Sequence, residues 1–189
     1  STEEHQLTLG VIVSKEKISA NGDYNLSGER YGSEVQIGSQ LWPVVELGSV
    51  CLKITDGSHF SPDISEVGYP YVTVKDLDLG HIDLKGCKKI NEEAYLQLVK
   101  NGCKPKLGDV LFSKDGTVGK TAIVDFEQDF VVLSSLAIIT PNTNVVLPEY
   151  LYCILSSNKF ISEAISQKTG VAIRRIVLRT LKTILIPQP

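Results

Sequence analysis

The middle of the chain consists of short apolar runs separated by turn residues. Because these runs are rich in branched and aromatic residues, they predict short strands. The predicted strands lie at residues 44–45, 48–54, 71–74, 82–84, 110–112, 121–124 and 131–140. Ser134 and Ser135 interrupt the last of these runs.

Apolar residues at helical spacing occur in two parts of the chain. Residues 92–100 form a predicted helix, with Asn91 as the N-cap and Gly102 as the stop signal. Pro148 suits a first helical position and opens a second helical stretch, which continues until Gly170. The residues predicted to be extended in the last part of the chain are 174–178 and 183–187.

This order of elements predicts an α+β fold with a mixed or antiparallel twisted sheet and a few short helices. Strands and helices come in blocks with short connections, whereas a doubly wound parallel sheet needs them to alternate. Residues 1–40 are too rich in glycine and serine for long regular elements, and only residues 7–18 suggest a strand or hairpin. We therefore expect an N-terminal arm at 1–40 and a single compact domain at 41–189, with Trp42 as an apolar anchor.

Composition argues against several classes of protein. No apolar run approaches the roughly 20 residues of a membrane span, and the N-terminus has neither a basic start nor an apolar signal region. The four cysteines are far apart, and no histidine stands at zinc-finger spacing from any of them. We therefore expect a cytoplasmic protein with reduced cysteines, no membrane association, no metal site and no cofactor.

Charge is distributed unevenly along the chain. The formal net charge is −3, which by itself does not indicate a nucleic-acid binder. Residues 160–189 contain five basic residues and one acid, a net of +4, whereas residues 1–50 contain seven acids and three bases, a net of −4. A basic C-terminal segment and an acidic N-terminal segment are typical of a protein with one positively charged surface that binds nucleic acid. The basic segment equally fits a helix terminus whose charges are solvated.

Residues 108–119 read Gly-Asp-Val-Leu-Phe-Ser-Lys-Asp-Gly-Thr-Val-Gly. A predicted strand runs into a loop that carries Lys114 and Thr117, and Lys120 begins the next strand. Glycines permit close backbone approach, and these cations and hydroxyls suit phosphate groups or base edges. The alternative interpretation is a tight hairpin loop whose polar residues are solvated.

Catalytic interpretations fail on spacing. Gly119-Lys120-Thr121 resembles the end of a nucleotide-binding P-loop, but Lys114 stands where the motif needs glycine, and a short β-branched run follows where it needs a helix. Asp63, Glu66 and Lys75 lack the Glu-x-Lys spacing of a nuclease. No Ser/His/Asp set has a recognisable context, so we expect no catalytic residue, and a hydrolase or nuclease is the least favoured alternative.

Seven segments form a pattern through their order and spacing. They are Trp-Pro-Val-Val-Glu-Leu-Gly-Ser-Val-Cys (42–51), Ile-Thr-Asp-Gly-Ser-His-Phe-Ser-Pro (54–62), Lys-Pro-Lys-Leu-Gly-Asp-Val-Leu-Phe-Ser-Lys-Asp-Gly-Thr-Val-Gly (104–119), Leu-Ser-Ser-Leu-Ala-Ile-Ile-Thr-Pro (133–141), Pro-Glu-Tyr-Leu-Tyr-Cys-Ile-Leu-Ser-Ser (148–157), Thr-Gly-Val-Ala-Ile-Arg-Arg-Ile (169–176) and Leu-Lys-Thr-Ile-Leu-Ile-Pro-Gln-Pro (181–189). Together they resemble a target recognition domain of a type I restriction–modification specificity subunit. The resemblance implies a DNA methylase specificity domain-like fold and sequence-specific binding to one half of a split DNA target.

The N-terminal arm carries a second resemblance. Residues 18–31, Ile-Ser-Ala-Asn-Gly-Asp-Tyr-Asn-Leu-Ser-Gly-Glu-Arg-Tyr, are similar to the tail that ends the N6-adenine DNA methyltransferase subunits of these systems. This similarity implies a parent protein in which methyltransferase and specificity parts are fused. The chain departs from the family pattern because it holds one recognition domain and no heptad run. It also lacks the methyltransferase tetrapeptide Asn/Asp-Pro-Pro-Phe/Tyr, so methyl transfer is not expected within these residues.

The resemblance implies the partners of a bacterial defence system: double-stranded DNA, a methyltransferase subunit or domain, and a restriction or translocase subunit. Three loops are the candidate DNA contacts, because cations hold phosphates and polar tips read base edges. The candidates are Thr55, Asp56, Ser58 and His59 in loop 1 (residues 55–62), Lys114, Thr117 and Lys120 in loop 2 (residues 113–120), and Thr169, Gly170, Arg174 and Arg175 in loop 3 (residues 169–175).

Simpler interpretations of these residues stay open. Asp56 could accept a hydrogen bond from a cytosine amine, or it could belong to an ordinary Asp-Gly turn. An arginine of loop 3 that is bidentate to guanine would discriminate bases by about 1–3 kcal/mol, or Arg174 and Arg175 could cap a helix or pair with surface acids. A protein-interaction module that docks a methyltransferase is the alternative function, and it predicts association without salt-sensitive DNA affinity.

Overall fold

The computed structural model describes residues 14–19, 42–166 and 175–189. The chain divides into two units, residues 1–41 and 42–189. The described residues of the first unit form one short helix, α1 (Lys15–Ser19). The prediction of a strand or hairpin at 7–18 was therefore wrong for residues 15–18, where lysine and glutamate favour a helix, and its other residues up to 13 lie outside the described part.

The second unit contains the regular elements of the predicted domain. Its strands are β1 (Val44–Glu46), β2 (Cys51–Asp56), β3 (Ile64–Ser65), β4 (Tyr69–Val72), β5 (Leu77–Asp78), β6 (His81–Ile82), β7 (Lys88–Ile90), β8 (Val110–Ser113), β9 (Thr121–Ile123), β10 (Val131–Val132), β11 (Leu136–Pro141) and β12 (Leu185–Pro187). Its helices are α2 (Glu92–Lys100), α3 (Pro148–Leu155), α4 (Asn158–Ser166) and α5 (Leu178–Thr183), and two 3-10 helices span Leu47–Val50 and Val74–Asp76. Among the described residues, none of the helices has the length and apolar character that crossing a membrane requires.

The central sheet has the strand order β2-β11-β8-β9, and every pair in it is antiparallel. A second sheet has the order β10-β4-β7-β3, in which β10 and β4 are parallel. β1 pairs with β12, and β5 pairs with β6 in a hairpin. This architecture confirms the predicted α+β fold with a mixed and antiparallel sheet.

Both faces of the two inner strands β8 and β11 are buried, which explains why these strands read as continuous apolar runs, whereas the edge strand β2 exposes Leu52 and Lys53. Alternate residues of β8 and β11 point to opposite faces and enter two different hydrophobic clusters. On one face, Val110, Phe112, Ala137 and Ile139 pack with residues of α3, α4 and α5, including Leu151, Leu155, Phe160, Ala164 and Leu181. On the other face, Leu111, Leu136 and Ile138 pack with Val72, Leu77, Phe130 and Val132.

The interruption at Ser134 and Ser135 separates two strands that belong to different sheets. β10 ends before it and pairs with β4, whereas β11 begins after it and lies in the middle of the central sheet. The main-chain bond from Leu136 N to Leu133 O (2.9 Å) closes the turn between them. The sequence predicted the break, but hydrophobic pattern alone does not show which partner each half takes.

Several helix boundaries follow their local signals. Asn91 caps α2, since its Oδ1 accepts a hydrogen bond from Ala94 N at 2.8 Å. Strand predictions need correction in three places: residues 48–50 of the predicted strand 48–54 lie in a 3-10 helix, Val74 of the predicted strand 71–74 begins another 3-10 helix, and α5 includes Leu178 and Thr183 from the extended segments predicted at 174–178 and 183–187. In the first case Ser49 Oγ donates to Glu46 O at 2.7 Å, so a local side-chain bond favours the turn over strand.

Leu79, at the tip of the β5–β6 hairpin, has a strained backbone conformation, so we expect one substitution at this position to stabilise the fold. Leu79 has φ of 43° and Gly80 has φ of 88°, as a type I′ turn requires, and Leu79 is 87% exposed. Because a left-handed leucine is strained by roughly 1–2 kcal/mol while Asn-Gly suits this turn, Leu79→Asn should raise the free energy of unfolding by about 1 kcal/mol. Urea denaturation measures this. Leu52→Asn, at an exposed strand position, is the control and should not stabilise; an equal or lower midpoint for Leu79→Asn would contradict the expectation.

We expect the titration of Asp109 to make the free energy of unfolding depend on pH. Its carboxylate is buried, and it accepts hydrogen bonds from Lys106 N at 2.8 Å and Thr140 Oγ1 at 2.7 Å. Burial raises the pKa of Asp109 above its ordinary value, and the bond from Thr140 offsets part of that rise. At pH values between the ordinary pKa of Asp109 in the unfolded chain and its higher pKa in the folded chain, the folded chain keeps a proton that the unfolded chain has released. The free energy of unfolding therefore falls as the pH rises through this range.

Asp109→Asn removes this titration; its amide oxygen can still accept from Lys106 N, and its NH2 group can donate to the Thr140 hydroxyl oxygen, which can turn to accept. The stability of the wild type relative to Asp109→Asn should therefore be greater near pH 4 than near pH 7. Urea denaturation of both proteins at the two pH values measures the difference. A difference that is constant or grows with pH would rule out the proposed titration.

Candidate nucleic-acid interface

Four strand ends meet at one edge of the central sheet. Because the strands are antiparallel, the ends of β2 and β8 lie beside the starts of β11 and β9, as the pairs Asp56↔Ala137, Ser113↔Leu136 and Thr121↔Phe112 show. Loop 1, loop 2 and the Ser134-Ser135 turn all leave the sheet here. We call these three segments, together with the residues at the start of 175–189 that reach them, the loop edge.

Main-chain hydrogen bonds fix loop 1 to the turn between β10 and β11. Gly57 N donates to Leu136 O at 3.2 Å, Ser58 N donates to Val132 O at 2.9 Å, and Ser134 N donates to Ser58 O at 2.9 Å. The hydroxyl of Ser58, a buried residue, lies within hydrogen-bond distance of both main-chain groups of Phe60. The loop is thereby held in one shape.

The tip of loop 1 presents two rings to solvent. The side chain of His59 is 62% exposed, and Phe60 is 64% exposed. Thr55 lies on β2 opposite Ile138 and is half-buried, so it stands behind the tip. The exposed rings, and not Thr55 or Ser58, are the groups of loop 1 that another molecule could touch.

Ser113 organises loop 2 from inside. Its buried hydroxyl donates to Thr117 O at 2.6 Å and accepts from Lys120 N at 2.7 Å, while Gly119 N donates to Ser113 O at 3.0 Å. These bonds leave Gly116 and Thr117 exposed at the tip. Strand β9 follows the loop, which confirms that it is not a P-loop.

Lys114 joins loop 1, loop 2 and the Ser134-Ser135 turn. Its side chain is 1% exposed, and its Nζ lies 3.3 Å from Asp56 Oδ2, the oxygen that also lies 3.1 Å from His59 Nε2. Its main chain accepts from Ile176 N at 2.8 Å and donates to Ser135 O at 2.9 Å. A buried ammonium group cannot reach a phosphate on the surface, so in this structure Lys114 ties loop 1 to loop 2.

Arg175 brings the basic C-terminal segment to loop 2. It forms an antiparallel bridge with Asp115, and its Nε lies 3.7 Å from Asp115 Oδ2, with side chains 47% and 30% exposed. The expected alternative of pairing with a surface acid thus applies to Arg175. Half-exposed ion pairs contribute little, so the guanidinium group can exchange this carboxylate for another anion. Thr169, Gly170 and Arg174 lie outside the described residues.

A cleft of about 470 Å³ opens beside loop 2. Its lining residues are Val74, Lys75, Asp115, Gly116, Thr117, Lys120 and Ser135. Lys120 Nζ donates to Leu77 O at 2.8 Å, which joins loop 2 to the start of β5. The loop edge therefore combines exposed tips with a concave surface that carries two lysines and the exposed hydroxyl of Thr117.

Comparison with known proteins identifies the family. Residues 40–189 match the model of the type I restriction modification DNA specificity domain. The chain belongs to this family.

A relative of known family agrees with this match. The specificity domain is 27% identical over 122 residues to the type I restriction enzyme EcoBI specificity subunit of Escherichia coli, an alignment that covers 65% of this chain and 25% of that protein. The chain thus spans about a quarter of the length of that relative. The methyltransferase-like segment at 18–31 lies outside the family match.

Two solved structures show the same fold. One is the crystal structure of the HsdS subunit from Thermoanaerobacter tengcongensis, with a TM-score of 0.54 and 20% identity over 84% of this chain and 35% of that one. The other belongs to a study of complex assembly and conformational transition of the type I R-M system, with a TM-score of 0.57 and 21% identity over 84% of this chain and 36% of that one.

Three residues at or beside the loop edge were not among the sequence candidates: Phe60 in loop 1, Ser135 in the turn, and Lys75, which lines the cleft next to loop 2. Phe60 had a signal in the sequence, since an aromatic residue in a polar loop is unusual, and Ser135 had one because it interrupts an apolar run. Lys75 had none, because it is distant from loop 2 along the chain and meets it only in the fold. Long-range contact of this kind is visible only in the structure.

The described residues contain no group of three or more histidine, cysteine, aspartate or glutamate side chains placed to bind a metal. At the start of β2, at the other end of the strand from loop 1, burial raises the pKa of the Cys51 thiol to about 12, so this cysteine is held as a neutral thiol at neutral pH.

Proposed function

We propose that the specificity domain binds double-stranded DNA at the loop edge and reads one half of a split target. The observation that carries the proposal is the meeting of loop 1, loop 2 and the segment starting at Arg175 at one edge of a rigid sheet. Their backbones are fixed by main-chain hydrogen bonds and their tips are exposed. A fixed arrangement of exposed groups is what recognition of a base sequence needs.

The exposed tips are proposed to read bases. His59 and Thr117 can exchange hydrogen bonds with base edges in the major groove, and Phe60 offers an apolar surface for a thymine methyl group. Asp56, Ser58 and Lys114 are proposed to position these tips, because their polar groups are engaged within the protein. This assigns Asp56 and Lys114 a different role from the direct contacts expected from the sequence.

The cations at the surface are proposed to hold phosphates. Arg175 is half-exposed, and Lys120 has two further N–H groups besides the one bound to Leu77 O. Phosphate contacts set the register of the protein on DNA without carrying sequence information. Thr169, Gly170 and Arg174 stay predicted DNA contacts.

Methyl transfer is proposed to take place in a methyltransferase subunit or domain, with a restriction subunit as a further partner in the cytoplasm.

The similarity of residues 18–31 to a methyltransferase tail supports a fused parent protein. The reading frame upstream of Ser1 in the source genome tests this. A frame that encodes Asn/Asp-Pro-Pro-Phe/Tyr supports the fusion, and one that encodes no methyltransferase rejects it.

Selection from a random duplex pool tests DNA reading directly. The full chain is incubated with the pool, the retained duplexes are sequenced, and a defined half-site motif of a few base pairs is expected. Retention of unenriched sequence, or no retention at low salt, would contradict the proposal. Methylation mapping in a host that expresses the parent protein should return the same half-site.

Arg175→Ala should weaken duplex binding and reduce the slope of log affinity against log salt by about 1, because one phosphate contact is lost. Fluorescence anisotropy at several salt concentrations measures both quantities. Lys182→Ala removes an equal charge from an exposed position beside Gly48, at the end of the sheet opposite the loop edge, and is the control. An unchanged slope for Arg175→Ala would remove this residue from the interface.

A further inference from the structure

The cleft beside loop 2 is built by three segments that are distant in sequence. Lys75 comes from the 3-10 helix Val74–Asp76, while Thr117 and Lys120 come from loop 2, and Ser135 comes from the turn before β11. The volume of about 470 Å³ is open to solvent along the loop edge.

The segment that carries Lys75 is held rigidly. Asp76 is buried, and its Oδ2 accepts from both Thr73 N and Thr73 Oγ1 at 2.7 Å. Asp76 N donates back to Thr73 O at 3.0 Å, and Lys120 Nζ donates to Leu77 O at 2.8 Å. The base of the Lys75 side chain is therefore fixed relative to loop 2, while the side chain itself is exposed.

The polar groups of the cleft favour an anion. Lys75 and Lys120 supply two ammonium groups, and Thr117 supplies an exposed hydroxyl. The hydroxyl of Ser135 is buried and has no hydrogen-bond partner among the residues that the structure describes. The donors that line the cleft are therefore Lys75 on one side and Thr117 and Lys120 of loop 2 on the other.

The acid that lines the cleft is already engaged. Asp115 Oδ1 accepts from Gly116 N at 3.0 Å, and Asp115 Oδ2 lies 3.7 Å from Arg175 Nε. With Lys75, Lys120 and Arg175 against Asp115, the formal charge of these four groups is +2, although the whole chain carries −3. The local field therefore opposes the charge of the chain and attracts anions.

We propose that this cleft holds a phosphate group of the DNA backbone and that Lys75 is a DNA contact. The inference rests on the proposed function, and it extends the interface from the three loops to the Val74–Asp76 segment. A lysine ammonium group binds phosphate as a point charge without selecting a base. Lys75 thus sets the position of loop 2 on the duplex and contributes to affinity, not to sequence preference.

The experiment compares Lys75→Gln with the wild-type full chain. Anisotropy against the selected duplex is measured over a range of salt, and pool selection is repeated for the variant. We expect weaker binding at low salt, a salt slope smaller by about 1 and an unchanged motif. Lys75→Arg keeps the charge and should keep the slope.

The matched control is Lys182→Gln. Lys182 is an exposed lysine that packs beside Gly48, at the end of the sheet from which β2 begins. Lys182→Gln should bind DNA with the same slope of log affinity against log salt as the wild type. The urea midpoint of each variant separates lost contacts from lost folding, since Lys75 contributes no buried group.

Each other outcome overturns a specific claim. If the wild type binds and Lys75→Gln binds with the same slope and affinity, the cleft is not a phosphate site. If Lys75→Gln changes the motif and leaves the slope unchanged, Lys75 contacts a base, and the phosphate assignment is wrong. If the wild type itself shows no salt-dependent duplex binding, the proposed function fails first and this inference fails with it.

Discussion

Asp56→Ala is expected to destabilise the specificity domain by about 3 kcal/mol, because it leaves the Lys114 ammonium group buried without a counter-ion. Lys114 is 1% exposed and Asp56 is 19% exposed, so the loss should fall at the lower end of the range for a buried pair. Urea denaturation followed by circular dichroism measures the free energy of unfolding. A loss below roughly 0.5 kcal/mol would show that water reaches the Lys114 ammonium group in solution.

The double variant Asp56→Ala with Lys114→Met is the matched control. It buries no charge, so it should recover most of the stability that Asp56→Ala loses. It should nonetheless lack the tie between loop 1 and loop 2. We expect it to bind duplex DNA with a weakened sequence preference, which separates the positioning role of the pair from its contribution to folding.

Gly57→Ala is expected to abolish sequence-selective DNA binding. A Cβ at this position would lie 2.1 Å from Val132 O and within 2.6 Å of Val132 C and Leu133 C, all of them main-chain atoms. Loop 1 would therefore have to leave the turn and lose the bond from Ser58 N to Val132 O. Because a main chain cannot rotate out of the way as a side chain can, we also expect a loss of stability of about 2 kcal/mol or more.

Pool selection and urea denaturation of Gly57→Ala measure the two effects. Gly108→Ala is the control, because a Cβ there would meet only Pro148 Cγ at 3.9 Å, although its φ of 84° costs about 1 kcal/mol, and Gly108 precedes β8 at the end of the sheet opposite the loop edge. Gly108→Ala should keep the wild-type motif. Wild-type selection by Gly57→Ala would mean that the attachment of loop 1 to the turn does not matter for recognition.

Local signals in the sequence were enough for several secondary elements, but not for α1, α5 or the 3-10 helices. The cap at Asn91, the proline at the start of α3 and the strand–loop–strand pattern around Gly116 each depend on neighbouring residues, and the structure has all three. The resemblance in seven segments led to the right family. These features are set within a few residues along the chain.

The site was predictable only in outline. Loop 1 and loop 2 were both proposed, but the sequence gives no sign that the Lys114 side chain is buried against Asp56, because burial depends on how two distant loops meet. The approach of Lys75 to loop 2 and the pairing of Arg175 with Asp115 have the same origin. Polar residue type predicts that a loop can bind, whereas tertiary packing decides which side chains are left to do so.

Mapping of the bound surface by amide chemical shifts tests the central claim most directly. Isotope-labelled protein is titrated with duplex DNA at low salt, and shifted amides are placed on the structure. The expected shifts lie at the loop edge, at residues such as Gly57, His59, Gly116 and Thr117. Shifts confined to Gly48 and Lys182, at the other end of the sheet, would contradict a DNA interface at the loop edge.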